Sequence, residues 1–415
     1  MKAFFVYNSP MTNLKDKRIL LGVTGSIAAY KAADLASRLT QGGAHVDVIL
    51  TRAAEGFISP LSFQSLTGKK AFTDKELWGG EAHVLHVGLG HTADLLLIAP
   101  CTANTLAKLA QGQANDLLSI TALAAQCPTM VAPAMDVGMY EHPATQENVR
   151  ILQERDVYFA GPGEGRMASG LVGKGRMVEP AELIGHIRCV LGIGGKLAGK
   201  KIVITAGGTQ EPIDPVRFIT NRSSGKQGYA LAQAAVDAGA EVTLISTPTA
   251  LLPPIGARLV LARTAQDVLE AVLAASTGAD ALIMAAAVAD FRPAKIAGKK
   301  LKKRDGIPQI TLEAAPDILK RVASLKADAE RPRVVVGFAA ESRDLLKNAS
   351  EKLSSKKLDL IVANDISAED AGFDLDDNRV ILLFADGKQE KLSLRSKFEV
   401  AEIILSQIEI LLENT

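Results

Sequence analysis

Short apolar runs of strand length alternate with segments of helical period along the whole chain, and polar turns separate them. In the first half these runs fall at Arg18–Val23, His45–Leu50, Asp94–Ala99 and Thr129–Ala132. In the second they fall at Lys201–Thr205, Glu241–Ser246, Asp280–Ala285, Val334–Phe338, Leu358–Ala363 and Arg379–Phe384. Runs this apolar suit strands covered on both faces, and the helical segments between them supply the cover. The pattern predicts an α/β fold of two doubly wound, Rossmann-like parallel sheets. Ile27 to Leu39 reads as the helix after the first strand, with Ile27, Ala28, Ala32, Leu35, Ala36 and Leu39 on one side. Residues 191–200 are glycine-rich and start no periodic element, which separates a domain over 12–191 from a second over 198–415.

One device occurs in both halves: an apolar strand enters a glycine turn and then opens a helix. It reads Gly22-Val23-Thr24-Gly25-Ser26-Ile27 the first time and Thr205-Ala206-Gly207-Gly208-Thr209 the second. Glycines admit an anion close to the backbone, and a helix N-terminus presents unpaired N–H groups to it. Two such turns predict two phosphate sites. Neither follows G-x-G-x-x-G, which argues against a nicotinamide oxidoreductase.

Composition narrows the partners. The chain has 415 residues, 47% hydrophobic and 22% charged, with a formal net charge of +1. That balance gives no case for nucleic acid or an acidic membrane as partner. The longest apolar run, Ala281 to Ala289, falls far short of the roughly 20 residues that span a bilayer. Met1 to Pro10 carries no signal-peptide pattern, so a cytoplasmic protein is expected. Cys101, Cys127 and Cys189 lack CxxC spacing, which disfavours a disulfide framework or a structural zinc site. No metal ligands are assigned.

Ligands in such folds sit at the carboxyl edge of the sheet. Four segments of the first half are expected there: Thr24-Gly25-Ser26, Thr51-Arg52, Pro100-Cys101-Thr102-Ala103-Asn104-Thr105 and Pro133-Ala134-Met135-Asp136. Small hydroxyl residues, glycine and proline suit an enclosed phosphate and a planar ring, although Ser and Thr also serve as ordinary helix caps. Together with His86-Val87-Gly88-Leu89 and the loop Gly161 to Pro180, these segments resemble the FMN-dependent cysteine decarboxylases. The likeness is strongest to the amino-terminal half of the bifunctional phosphopantothenoylcysteine decarboxylase and phosphopantothenate–cysteine ligases of coenzyme A biosynthesis. It implies a flavodoxin-like domain holding FMN at Gly25, Ser26, Ile27, Thr51, Ser62, Pro100, Thr102, Ala103, Asn104 and Met135. It also implies an active-site role for His86.

Two positions depart from that family. Its Pro-x-Met-Asn-x-x-Met motif is Pro133-Ala134-Met135-Asp136-Val137-Gly138-Met139 here, so an acid replaces the carboxamide that holds the substrate carboxylate. An ionised Asp136 about 4 Å from that carboxylate opposes binding by about 4 kcal/mol at an effective dielectric near 20, whereas a protonated one donates a hydrogen bond. In the clamp Gly165-Arg166-Met167-Ala168-Ser169-Gly170-Leu171, Ser169 replaces the proton-donating cysteine. A hydroxyl is a far weaker acid than a thiol of pKa about 8.5. Cys101 is better explained by packing than as a substitute donor. Three readings stay open: a working decarboxylase, an FMN enzyme with changed or stalled chemistry, or a flavin-binding domain kept for structure.

The run Thr205 to Gly228, with Gly207-Gly208, Pro212-Ile213-Asp214-Pro215 and Thr220-Asn221-Arg222-Ser223-Ser224-Gly225-Lys226, resembles the ligase half of the same family. A P-loop is rejected, since Thr220 stands where its first glycine belongs and Gln227 where a magnesium-binding hydroxyl belongs. The resemblance implies nucleotide binding by Gly207, Gly208, Ala286, Asp290, Lys300, Pro316, Asp317, Ile318, Leu319, Phe338, Lys352 and Lys356. Asp290, after a buried strand, can hold ribose or magnesium. The basic cluster Lys299 to Arg304 matches a mobile lysine loop in which Lys300 covers the reacting phosphate. Asn221 would hold an acyl-cytidylate. The implied chemistry joins cysteine to 4'-phosphopantothenate using CTP and Mg2+, in a homo-oligomer. A flavin- and nucleotide-binding module without turnover is the rival, and mere binding has no need of a basic flap.

Overall fold

The computed structural model describes residues 12–78, 85–325, 330–341, 344–365 and 375–414. The expectation placed on Met1 to Pro10 falls outside them. Two compact units divide between Leu191 and Gly192.

The first unit is built on six parallel strands, β1 (Arg18–Val23), β2 (His45–Leu50), β3 (Ala71–Phe72), β4 (Leu95–Cys101), β5 (Thr129–Pro133) and β6 (Tyr158–Phe159), in the order β3-β2-β1-β4-β5-β6. Successive side chains of β1 go to opposite faces, as the strand period dictates. Ile19, Leu21 and Val23 pack with helices α1 (Ala29–Gln41) and α2 (Pro60–Thr67), whereas Leu20 joins the core on the other face. That second face is covered by α3 (Leu85–Thr92), α4 (Ala103–Gln111), α5 (Leu117–Ala124) and, beyond the five-residue α6 (Val137–Glu141), α7 (Pro143–Gln153). A hairpin of β7 (Gly163–Arg166) and β8 (Val172–Arg176) follows, and α8 (Pro180–Gly192) returns to the α1 face through Leu183 and Ile187. The first helix begins at Ala29, two residues later than its apolar pattern indicates. Ile27 lies in the turn before it and is 66% exposed rather than buried with Leu35 and Leu39.

The second unit has an eight-stranded sheet in the order β13-β12-β9-β14-β17-β18-β20-β21. Its parallel part comprises β9 (Lys201–Ala206), β12 (Glu241–Ser246), β13 (Arg258–Leu261), β14 (Ala281–Met284), β17 (Val334–Glu341) and β18 (Leu360–Asp365). β20 (Val380–Phe384) runs antiparallel to β18 and β21 (Gln389–Lys391) antiparallel to β20, so this sheet is mixed rather than wholly parallel. Short antiparallel pairs leave it: β10 (Gln210–Pro212) with β11 (Phe218–Thr220), β15 (Phe291–Pro293) with β16 (Leu312–Ala314), and β19 (Asp377–Asn378) with β22 (Arg395–Ser396). Helices α10 (Ala265–Ser276), α11 (Ile318–Ala323) and α12 (Leu345–Ser355) bury Val272, Val322 and Leu353 on one face. α9 (Lys226–Asp237) and α13 (Lys397–Glu413) pack together on the other. Among the described residues no helix is long and apolar enough to cross a membrane.

Candidate active sites

The carboxyl ends of β1, β2, β4 and β5 surround a cavity of about 1130 Å³. Its upper wall starts with Thr24, whose hydroxyl donates to the Pro100 carbonyl at 2.7 Å and accepts from the Thr102 backbone N–H at 3.2 Å. This stitch joins the turn after β1 to the start of α4. Gly25 is required there, because a Cβ would lie 2.6 Å from that of Ala53. Ser26 accepts from the Ala28 N–H, and Thr102 caps α4 by accepting from the Thr105 N–H.

All four expected segments therefore meet. Gly25, Ser26, Ile27, Thr51, Thr102, Ala103, Asn104, Met135, Asp136 and Ser169 line the cavity. Ser62, Pro100 and His86 do not. Ser62 lies in α2, Pro100 turns its carbonyl to Thr24, and His86 stands in α3 with a buried Nδ1 that has no partner among the described residues.

The hairpin closes the opposite wall. The Met135 N–H donates to the Gly175 carbonyl at 2.9 Å, and Gly173 leaves room for Val137, which a Cβ would approach to 2.7 Å. Ser169 Oγ donates to Asp136 Oδ2 at 2.5 Å, while Asp136 Oδ1 accepts from the Gly138 N–H at 3.1 Å. The two residues that depart from the family motif thus touch each other. At the base of the hairpin, Lys31 reaches from α1 to the Met177 carbonyl at 2.9 Å and to Glu179 at 2.7 Å.

Sequence reasoning missed a polar corner of this cavity. Lys108 pairs with Asp116 at 2.6 Å, and Asp74 accepts from the Leu117 N–H. Burial pushes the Asp116 carboxyl up, but the Lys108 hydrogen bond and the Ser119 donors outweigh it and leave the group below its ordinary range. Cys101 is fully buried, which pushes its thiol strongly up and leaves it inert.

In the second unit a cavity of about 850 Å³ lies between the start of α9, the segment after β14, and the ends of β17 and β18. It brings together Asn221, Ala286, Asp290, Pro316, Asp317, Ile318, Leu319, Phe338, Lys352 and Lys356. Buried Thr205 and Thr209 shape the post-strand segment by accepting from the Ala286 and Ala289 N–H groups at 3.1 and 2.9 Å. Asn221 Nδ2 donates to the Val288 carbonyl at 3.0 Å. Lys352 donates to the Phe338 carbonyl at 2.8 Å, and Lys356 pairs with Asp317. Burial raises the Asp317 pKa, but Lys356 and the Lys320 N–H outweigh it and hold the carboxyl below its ordinary range.

Gly207, Gly208 and Lys300 do not line this cavity. Gly207 has φ +85° and faces the Thr247 side chain, while a Cβ on Gly208 would lie 2.6 Å from the Asn221 carbonyl. These glycines are demanded by packing of the turn. The lysine loop is held at Leu301, whose N–H donates to Asp214 at 3.1 Å and whose carbonyl accepts from Arg217 at 3.1 Å. Sequence reasoning missed Asn364, Asn378 and Lys397, and it gave Arg222 and Lys226 of the Thr220–Lys226 run no role of their own. Buried Oδ1 atoms of Asn364 and Asn378 lack donors among the described residues. Five basic side chains against Asp290 and Asp317 give the cavity the charge that a polyphosphate requires.

Two doubly wound units, each with a polar cavity at the carboxyl edge of its sheet, define a two-domain α/β protein. Residues 7–192 match the model of the Flavoprotein family, and residues 197–411 match that of the DNA/pantothenate metabolism flavoprotein C-terminal domain. The chain is 44% identical over 405 residues to the "Coenzyme A biosynthesis bifunctional protein CoaBC" of Bacillus subtilis, covering 97% of this chain and 99% of that one. Among solved structures, the C-terminal domain of a protein of that name is 43% identical, covering 53% of this chain and all of its own with a TM-score of 0.46. The FMN-dependent cysteine decarboxylase SpaF is 37% identical, covering 39% of this chain and 91% of its own, TM-score 0.35. The chain belongs to the bifunctional CoaBC family of coenzyme A biosynthesis proteins.

Proposed function

We propose that this chain carries out two steps of coenzyme A biosynthesis: ligation of cysteine to 4'-phosphopantothenate in the second unit, and decarboxylation of the product in the first. It is an enzyme with ligase and decarboxylase activities. The observation that carries the ligase is the cation-rich cavity where Asn221, Asp290, Lys352 and Lys356 converge.

A carboxylate is a poor acylating agent, so the pantothenate carboxylate first displaces pyrophosphate from CTP to give an acyl-cytidylate. The cysteine amine then attacks that anhydride. Lys352 and Lys356 neutralise charge developing on the phosphates. Mg2+ fits as a companion of those phosphates, because such ions take one or two carboxylates plus phosphate oxygens. Asp290 would be the carboxylate that holds it, since Asp317 is committed to Lys356. Asn221, oriented by the Val288 carbonyl, holds the acyl-cytidylate with a neutral amide. Lys300 acts only after its loop reaches the phosphates.

FMN fits the first cavity: the Gly25 cradle excludes a Cβ, Ser26 and Thr102 offer hydroxyls, and α4 opens toward the space. Gly25, Ser26, Thr51, Thr102, Ala103 and Asn104 would hold it. When bound, FMN supplies the two-electron oxidation of the cysteinyl group that makes CO2 loss possible. Met135 and the hairpin enclose the substrate and exclude water. His86 is given no step, because it stands outside this cavity.

The test is pyrophosphate release and phosphopantothenoylcysteine formation with 4'-phosphopantothenate, cysteine, Mg2+ and either CTP or ATP. Turnover with CTP is expected, and no pyrophosphate with either nucleotide sinks the ligase reading. CO2 release by the FMN-loaded protein tests the other half. A second reading, an active ligase with an altered decarboxylase, draws on the Ser169 hydroxyl being directed at Asp136. The enethiol as sole product would favour it. The exposed apolar side chains Leu61, Leu123 and Val172 of the first unit fit association with further copies of the chain.

A further inference from the structure

The contact between Asp136 and Ser169 spans 33 positions of sequence and joins the cap of α6 to the tip of the hairpin. Both carboxylate oxygens of Asp136 accept a bond here, one from Gly138 N–H and one from Ser169 Oγ–H. With the acid accepting both bonds, the hydroxyl hydrogen is turned away from the cavity. Protonating Oδ2 reverses the bond: the acid donates to Oγ, and the hydroxyl hydrogen is released to point elsewhere. Both residues line the cavity. A substrate carboxylate entering it favours the protonated acid, because two like charges at close range cannot both ionise freely.

We propose that Asp136 and Ser169 form a two-residue proton relay, in which the Asp136 carboxyl stores the proton and the Ser169 hydroxyl delivers it to the substrate. This rests on the decarboxylase reading. When CO2 departs, the electron pair of the broken C–C bond remains on the substrate as an enethiolate. Its C=C pair takes the hydroxyl proton, forming a C–H bond while C=S re-forms. Ser169 Oγ takes the proton from Asp136 Oδ2, leaving Asp136 ionised until solvent restores it. No oxidant or reductant enters this transfer itself; the two electrons that FMN would take up in the preceding oxidation would return to the re-formed C=S to give the thiol. An acid and a hydroxyl in contact thus stand in for the single thiol of the relatives, and either change alone disables the relay.

The contact is tested without turnover. A thiol introduced by Ser169→Cys is titrated by its alkylation with iodoacetamide across pH, with the wild-type chain as background for its own cysteines. The neighbouring carboxylate opposes thiolate formation, so the alkylation midpoint lies at least about one pH unit higher with Asp136 present than in Asp136→Asn/Ser169→Cys. That corresponds to about tenfold slower labelling at fixed pH. Equal midpoints overturn the contact. The transfer is tested on the FMN-loaded enzyme by the ratio of reduced thiol to enethiol product. Asp136→Asn and Ser169→Ala each lower that ratio at least about tenfold, and the wild-type ratio falls as pH rises. An unchanged ratio in both variants overturns the relay while leaving the decarboxylase reading intact. Absence of CO2 from the wild type overturns both.

Discussion

Gly175→Ala tests whether the hairpin forms the cavity wall through backbone docking. Gly175 has φ +154°, a region left almost entirely to glycine, and an added Cβ would penetrate the Met135 carbonyl oxygen. If the hairpin stays docked, the strained backbone costs about 1–3 kcal/mol. Losing the Met135 N–H bond to Gly175 adds about 1 kcal/mol. The sum, about 2–4 kcal/mol, corresponds to a fall in Tm of roughly 4–16 °C for a unit of this size. If the hairpin lifts instead, Arg166, Met167, Ser169 and Arg176 leave the cavity together. Flavin affinity then falls while Tm changes little. Differential scanning calorimetry with and without FMN, paired with a flavin fluorescence titration, separates the two responses. Unchanged Tm together with unchanged FMN affinity would refute the docking argument, since nothing else relieves a backbone clash at this position.

Gly25→Ala places a methyl 2.6 Å from the Ala53 Cβ, and at least tenfold weaker FMN binding is expected in the same titration. Lys108→Met removes the partner that holds Asp116 below its ordinary pKa of 3.8. A carboxyl depressed in the folded state stabilises above the unfolded value and loses that effect as pH falls through the folded one. The variant therefore costs about 1–2 kcal/mol in urea unfolding at pH 7 and progressively less below about pH 4; a gap that stays constant across pH contradicts the assignment. Asn221→Ala leaves pyrophosphate release detectable but lowers phosphopantothenoylcysteine formation by about 10²–10³, as loss of one positioned amide in an acyl transfer predicts. Equal loss of both products would move Asn221 to the activation step.

Strand positions were legible wherever both faces of the sheet are covered. Arg18–Val23, His45–Leu50 and Glu241–Ser246 occupy the expected spans, because strands buried over most of their length are written mainly in apolar residues. Arg258–Leu261 escaped notice because it is an edge strand, with an exposed Leu261 and no buried side chain. Direction is equally silent in such patterns, so Val380–Phe384 carried no sign of running antiparallel. The cavity segments were legible because doubly wound sheets bring strand ends to one edge. A glycine demanded by close neighbours, as at Gly207 and Gly208, looks in sequence like one demanded by a phosphate. Lys108, Asp116, Asn364, Asn378 and Lys397 belong to no local motif, and only folding brings them to the cavities.

Lys31 gives the wall of the first cavity an asymmetry of anchorage. Its buried ammonium fastens the Met177 and Glu179 end of the hairpin to the first helix. The far end is fastened by the Ser169 hydroxyl on the Asp136 carboxylate, at an accessible surface. The hairpin is thus a wall anchored from within at its base and from an accessible surface at its tip.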